Sequence, residues 1–194
     1  MRYPAEHKQQ TRDRIVRAAA RRFRGRGSEG AAIGGLMRDL RLTHGGFYRH
    51  FASKDDLYVE AFERALEEAR GRMEDAVRHA APGHEFEAIV DSYLDLEHCD
   101  DVEGGCPVAA LATEIRRQPT KVRNKMLQAV RRHVVRLERY IPGANERERR
   151  RNTIALFSGM SGTLAIARAF PSGELRKTVL DAAKTLYLQA FAKS

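Results

Sequence analysis
The sequence predicts an all-α protein of about nine helices, and three observations carry that prediction. Apolar residues recur at intervals of three and four along most of the chain. No run alternates with the period of two that a half-buried strand requires. Turn-forming pairs such as Pro82-Gly83, Pro142-Gly143 and Pro171-Ser172-Gly173 fall between the periodic segments. With 194 residues, 42% of them hydrophobic and 31% charged, the chain is long enough to bury a core and ordinary for a soluble protein.

The elements follow in order. Residues 8–25 place Ile15, Ala19 and Phe23 on one face, with the arginines mostly elsewhere, and Gly25, Gly27 and Gly30 end that helix. Ile33 to Leu40 is a short helix carrying Leu36, Met37 and Leu40. Thr43 opens a third short helix that contains Phe47 and Phe51. Ser53, with Asp56 three residues on, makes a capping-box-like start for a long fourth helix whose stripe runs Leu57, Ala61/Phe62, Ala65/Leu66, Ala69, Met73, Val77. Phe86 to Leu94 is a fifth helix. His98 and Cys99, beside Asp100 and Asp101, read as a polar loop edge. Pro107 starts a sixth helix that Pro119 ends, and Val122 to Ile141 form a seventh. The eighth and ninth span about 146–169 and 174–192.

Composition and charge exclude several functions. No apolar stretch reaches the length of a membrane span, and the N-terminus has no apolar signal region. Two cysteines, Cys99 and Cys106, are too few for a disulfide framework or a structural zinc site, and a reducing cytoplasm is expected. No nucleophile elbow, phosphate-cradling glycine loop or Cys-x-x-Cys occurs, so neither an enzyme nor a cofactor nor a metal is expected. The net charge of +9 favours a polyanionic partner. It is unevenly placed. Residues 1–50 carry 12 basic against 4 acidic side chains, 51–115 carry 5 against 17, and 116–151 carry 13 against 3. The last block is read equally as a solvated helix face.

A basic trio of short helices at the head points to a helix-turn-helix whose third helix enters the major groove. Thr43 can cap that helix, and its hydroxyl can reach a phosphate or a base. His44 stands near the helix N-terminus, where base edges are met. Gly45 and Gly46 each cost roughly 1 kcal/mol of helix stability against alanine, and close approach of backbone to DNA is a reason to accept that cost. Phe47 and Phe51 face the small core while Tyr48, Arg49 and His50 point outward. Arg49 can read guanine or simply add charge.

The string LTHGGFYRHFASKDDLYVEAF, residues 42–62, resembles the signature of the TetR (tetracycline-repressor) family of transcriptional regulators, and residues 11–27 resemble that family's first helix. The resemblance implies a head of residues 1–53 and a helical regulatory, ligand-binding and dimerisation domain of residues 54–194. It also implies phosphate contacts at Tyr48, His50 and Lys54, a palindromic double-stranded DNA operator, a homodimer, and a small-molecule effector that releases the DNA. Phe62, Leu66, Tyr93, Leu111, Met126, Val130 and Phe157, with Cys106, line the effector pocket or are plain core; periodicity does not separate the two. Cys106, at a helix start behind Gly104 and Gly105, is either a reactive thiol or a small apolar cap at the pocket edge. Ile154, Ser158, Gly162, Leu180, Leu186 and Phe191, on the eighth and ninth helices, suit a four-helix dimer interface or packing within one subunit. The alternative function is a basic helical protein that binds nucleic acid without sequence preference.

Three positions depart from the family's usual pattern. Ala31-Ala32-Ile33 offers no capping hydroxyl to the second helix, Met37 stands where a small residue is usual, and Arg41 stands where the turn usually has glycine.

Overall fold
A computed structural model describes residues 5–30 and 32–191; Ala31 and the outermost residues of the two expected domains lie outside them. The described residues form ten α-helices and no strand. They are α1 (Ala5–Gly30), α2 (Ile33–Asp39), α3 (His44–Phe47), α4 (Lys54–His79), α5 (Glu85–Tyr93), α6 (Leu96–Asp100), α7 (Pro107–Ile115), α8 (Thr120–Leu137), α9 (Glu146–Ala167) and α10 (Gly173–Phe191), with a 3-10 turn at Glu138–Tyr140 after α8. The tenth is α6, where the sequence reads as a polar loop edge. His98 and Cys99 are instead buried, because a helix of five residues is too short to register as a period. The predicted eighth and ninth helices are therefore α9 and α10.

The long helices begin where side chains can take up their free amides. Ser53 Oγ accepts the amide of Asp56 at 3.1 Å and Asn145 Oδ1 accepts that of Glu148 at 3.0 Å. Pro107 occupies the first turn of α7, where its missing N–H costs nothing. The apolar stripes then meet in two core clusters. One joins Ile15, Ala19 and Phe23 of α1 to Phe47, Phe51, Leu57, Phe62 and Leu66, and continues to Leu111 of α7 and Met126 of α8. The other joins Ile89, Val90 and Tyr93 of α5 to Leu156, Phe157, Met160 and Leu164 of α9 and to Leu180 of α10. Val108 and Val130 pack against both. The first cluster runs across the 53/54 boundary, so the head rests on α4, α7 and α8 rather than on itself.

Two backbone positions fix the head's shape. At Gly27 the chain turns out of α1 with φ 70° and ψ 174°, a region that essentially only glycine visits. The turn between α2 and α3 closes as a Schellman motif. Leu42 N donates to Met37 O and Arg41 N to Arg38 O, both at 2.8 Å, and Arg41 sits at φ 58°. Among the described residues it is the one non-glycine at positive φ. The position demands the glycine that the sequence lacks, and the left-handed conformation costs an arginine roughly 1 kcal/mol or more. The missing cap of α2 has a structural counterpart too: Ala32 makes no side-chain bond to the helix's free amides. Arg41→Gly is expected to raise stability by about 0.5–1 kcal/mol, after the added chain entropy is subtracted, in a urea unfolding titration; an unchanged or lowered midpoint would show that the turn is unstrained.

Candidate nucleic-acid interface
The expected reading helix, α3, has only four residues, of which Phe47 is the buried one. Thr43 caps it, accepting the amide of Gly46 at 3.2 Å, so the Thr43 hydroxyl is engaged on the helix itself. Phe47 has no exposed surface and stacks on Phe51, centroid to centroid 5.4 Å. Phe51 lies beyond the end of α3, in the loop before α4, yet is as buried as the sequence required. On the other side Thr43, His44, Gly45 and Arg49 are exposed and Tyr48 keeps 63% of its surface. A Cβ at Gly45 would meet nothing within 4 Å, so the backbone there is bare to an approaching partner. Lys54 opens α4 with an exposed side chain, at a helix end where the Ser53 hydroxyl takes up only the amide of Asp56.

His50 is less exposed than its alternation with Phe47 and Phe51 implies. It is half-buried, and its pKa is held below the usual value first by burial and then by the charges of Lys8, Arg12 and Arg49. Those three cations set a positive potential over the face that Thr43, Gly46, Arg49 and His50 share in a groove of about 700 Å³.

Arg12 holds this face in place, a role that its exposed-looking arginine neighbours in α1 do not suggest. Its guanidinium donates to the carbonyl of His50, pairs with Glu60 of α4 and lies 4.3 Å above the Phe51 ring. One side chain on α1 thus ties the segment after α3 to α4. A signal for it exists: Arg12 falls three residues before Ile15 and seven before Ala19, on the buried stripe rather than off it. Further links join head to body. Arg24, 3% exposed, pairs with Glu68 at 2.8 Å, and Glu114 of α7 accepts the amide of Ser28 at 2.7 Å beside the Gly27 turn.

The residues expected to line an effector pocket divide between the two cores. Phe62, Leu66, Leu111 and Met126 belong to the first, and Tyr93, Cys106 and Phe157 to the second, with Val130 between them. Val130 and Phe157 of the set line an apolar groove of about 490 Å³ walled by α7, α8 and α9. Three residues expected at the dimer interface, Ile154, Ser158 and Gly162, line the same groove. Beneath it lies a buried polar cluster. Tyr93 and Ser161 share a hydrogen bond of 3.0 Å, His98 Nδ1 donates to Tyr93 O at 2.7 Å, and Cys106 N donates to His98 Nε2 at 3.0 Å. Arg168 donates to the carbonyls of Cys99 and His98 at the end of α6. Cys106 is 1% exposed at the N-cap of α7, behind Gly104 and Gly105.

The expected dimer residues also divide. Ile154, Leu186, Ser158 and Gly162 are exposed, Phe191 is half-buried, and Leu180 is 1% exposed within its own subunit's core. The small residues of α9 serve two faces. A Cβ at Gly159 would stand 2.5 Å from the Tyr187 hydroxyl, so that glycine admits α10, whereas at Gly162 nothing lies within 4 Å. Ile166 and Leu175 add exposed apolar surface on α9 and α10. Among the described residues no group of His, Cys, Asp or Glu is placed to hold a metal ion, and no helix is long and apolar enough to cross a membrane.

Comparison with known proteins agrees with this geometry. The pattern of bacterial regulatory proteins of the tetR family matches residues 15–61, and that of the tetracyclin repressor-like C-terminal domain matches residues 82–183, more than half of the chain. The chain belongs to the TetR family of helix-turn-helix transcriptional regulators. An uncharacterized HTH-type transcriptional regulator of Mycobacterium tuberculosis is 30% identical over 105 residues, 53% of this chain and 52% of that protein. The match thus spans about half the length of that relative. A TetR transcriptional regulator from Chloroflexus aurantiacus superposes with a TM-score of 0.73 at 25% identity, over 96% of this chain and 98% of that one. A TetR-family regulator from Cytophaga hutchinsonii superposes at 0.77 and 17% identity, over 97% and 98%.

The buried histidines give the body a pH dependence. Burial pushes His98 and His133 down to about 4, against 6.5 when free. Each binds its proton more readily in the unfolded chain, so stability is full above pH 6.5 and is lost as pH falls toward 4. The loss expected between pH 7 and pH 5 is about 1–2 kcal/mol per histidine, read from urea midpoints. His133→Gln, which removes a ring packed 5.5 Å from Phe157, is expected to flatten the curve by about half, and an equally steep curve would mean that another group titrates.

Proposed function
We propose that this chain is a cytoplasmic, homodimeric repressor that holds a palindromic DNA operator and releases it when a small molecule enters the body. The observation that carries the reading is the one-sided anchorage of the segment 43–50. Its apolar side is locked into the core by Phe47, and its bare backbone, His44, Tyr48 and Arg49 face out under the charges of Lys8, Arg12 and Arg49.

In this reading His44 and Arg49 meet base edges, while Tyr48, His50, Lys54 and the start of α4 hold phosphates and set the register. Two copies join through α9 and α10, and their recognition helices stand about one DNA turn apart, roughly 34–36 Å. Ile154, Ser158, Gly162 and Leu186 form the seam, and Phe191 lies at its edge. The effector rests on Val130 and Phe157 in the apolar groove between α7, α8 and α9, with Phe62, Leu66, Tyr93, Leu111 and Met126 behind it. The side chains lining that groove are uncharged, which favours an uncharged, largely apolar molecule. Its differential affinity for two spacings of the heads sets how far DNA affinity falls.

The rival, a nucleic-acid binder without sequence preference, is separated by selecting fragments of genomic DNA on the purified protein. A repressor returns one palindromic site that survives competitor DNA; a set of unrelated fragments would exclude it. Lys54→Ala is expected to weaken operator and random duplex alike and to lower the salt slope by about one, whereas His44→Ala or Arg49→Ala is expected to relax preference at one or two base pairs by about 1–3 kcal/mol. Arginine placed at Gly162 or Leu186 is expected to give monomers in sedimentation, with poor operator affinity. A monomeric unmodified protein would remove the dimer from the mechanism.

A further inference from the structure
Most of the chain's arginines on the shared face of head and body are matched by acids. Arg12 pairs with Glu60, Arg24 with Glu68, Arg132 with Glu63 and Arg136 with Glu67. Where α1 ends, α4 begins and α7 turns into α8, the pattern changes. Arg26, Lys54, Arg116, Arg117 and Lys121 are all exposed there, and among the described residues no ion pair or hydrogen bond engages their side chains. Arg26 of α1, Lys54 of α4 and Arg117 of the α7–α8 turn line one open cavity of about 440 Å³. Arg116 is the residue before Arg117, and Lys121 is the second residue of α8.

Two acids share the cavity. Glu114 is held by the amide of Ser28, and Asp55 stands in the first turn of α4, so the exposed cations outnumber them. Like charges gathered without partners repel, and they are relieved by an anion of matching spread. Lys54 identifies which anion. In the function proposed above it holds a phosphate of the bound duplex, and the same side chain borders the cavity that Arg26 and Arg117 line. A duplex backbone continues beyond that phosphate with further charges at fixed intervals, which a small anion does not.

We infer that the α7–α8 turn, with the end of α1, is a second contact with the DNA backbone: Arg26, Arg116, Arg117 and Lys121 grip phosphates next to the one held at Lys54. The body thereby touches DNA directly as well as through the head. The inference rests on the operator reading and adds a route for its control. Ala112 and Thr113 on α7 line the effector groove, three or four residues before Arg116, so a shift of α7 moves these cations as it moves the groove wall.

The test uses the full chain and a random-sequence duplex of about 40 base pairs, with binding measured by fluorescence anisotropy across a KCl series. Arg116→Ala/Arg117→Ala/Lys121→Ala is compared with Arg131→Ala/Arg147→Ala/Lys177→Ala, which removes the same charge from exposed sites elsewhere. Circular dichroism and sedimentation establish that both remain folded and equally associated. The expected result is a salt slope shallower by about two or more for the first variant, at about 0.9 for each phosphate no longer neutralised, and nearly unchanged for the second. A lysine version of the first variant at positions 116 and 117, with Lys121 kept, restores the slope. An unchanged slope in the first variant, or an equal fall in both, overturns the inference while leaving the operator reading intact. An unmodified protein that binds no duplex at any salt overturns the operator reading itself.

Discussion
A four-residue helix containing two glycines has no stability of its own, since forming a first turn costs more than its hydrogen bonds return. What holds α3 in shape is the burial of Phe47, stacked on Phe51 and set into the seam between α1 and α4. Burying one such ring contributes about 2–3 kcal/mol, enough to offset the glycines but only while the seam exists. Everything on the outward side of residues 43–50 is positioned by that inward anchor. Arg12 completes it from α1, by fixing the carbonyl of His50 and covering the Phe51 ring. The placement of residues 43–50 therefore depends on three helices, α1, α3 and α4, rather than on α3 alone.

The charge blocks of the chain acquire a spatial meaning once folded. The acidic middle contains α4, and α4 lies between the arginines of α1 on one side and those of α8 on the other. Exposed pairs of this kind contribute only about 0–1 kcal/mol each. Their effect is to neutralise the flanks of α4, so that the excess positive charge remains at its ends and over the head. The Arg24–Glu68 pair differs because Arg24 is buried; removing either partner would leave an uncompensated charge inside the protein. Together with Glu114 on the Ser28 amide, it couples the head to the body through α1 rather than through a loose linker.

The body shows how small residues acquire opposite uses. Gly159 and Gly162 stand three apart on α9 and look alike in sequence, yet one is occupied by Tyr187 of the same chain and the other faces open space. Leu180 and Leu186 divide in the same way on α10, the first inside the core and the second exposed. An apolar stripe records that a face is buried, and it carries no label for which neighbour buries it. Packing within the chain accounts for Gly159 and Leu180 and leaves Ile154, Gly162 and Leu186 exposed.

The sequence by itself determined the helical class, the stripes of α1 and α4, the caps at Thr43 and Ser53, and the outward set His44, Tyr48 and Arg49. It determined the strained Arg41 as well. These are local properties, set by spacing along one helix or by a side chain within four residues of the amide it caps, and local geometry is fixed once the backbone is helical. Only the tertiary structure decided that Arg12 meets the His50 carbonyl, Glu60 and the Phe51 ring, that α6 exists and buries His98 and Cys99, that Cys106 is buried, and that the expected pocket residues fall into two cores joined at Val130. Each of those depends on which helices meet across intervals of up to about a hundred residues, and a period along one helix cannot encode the identity of the surface it will meet.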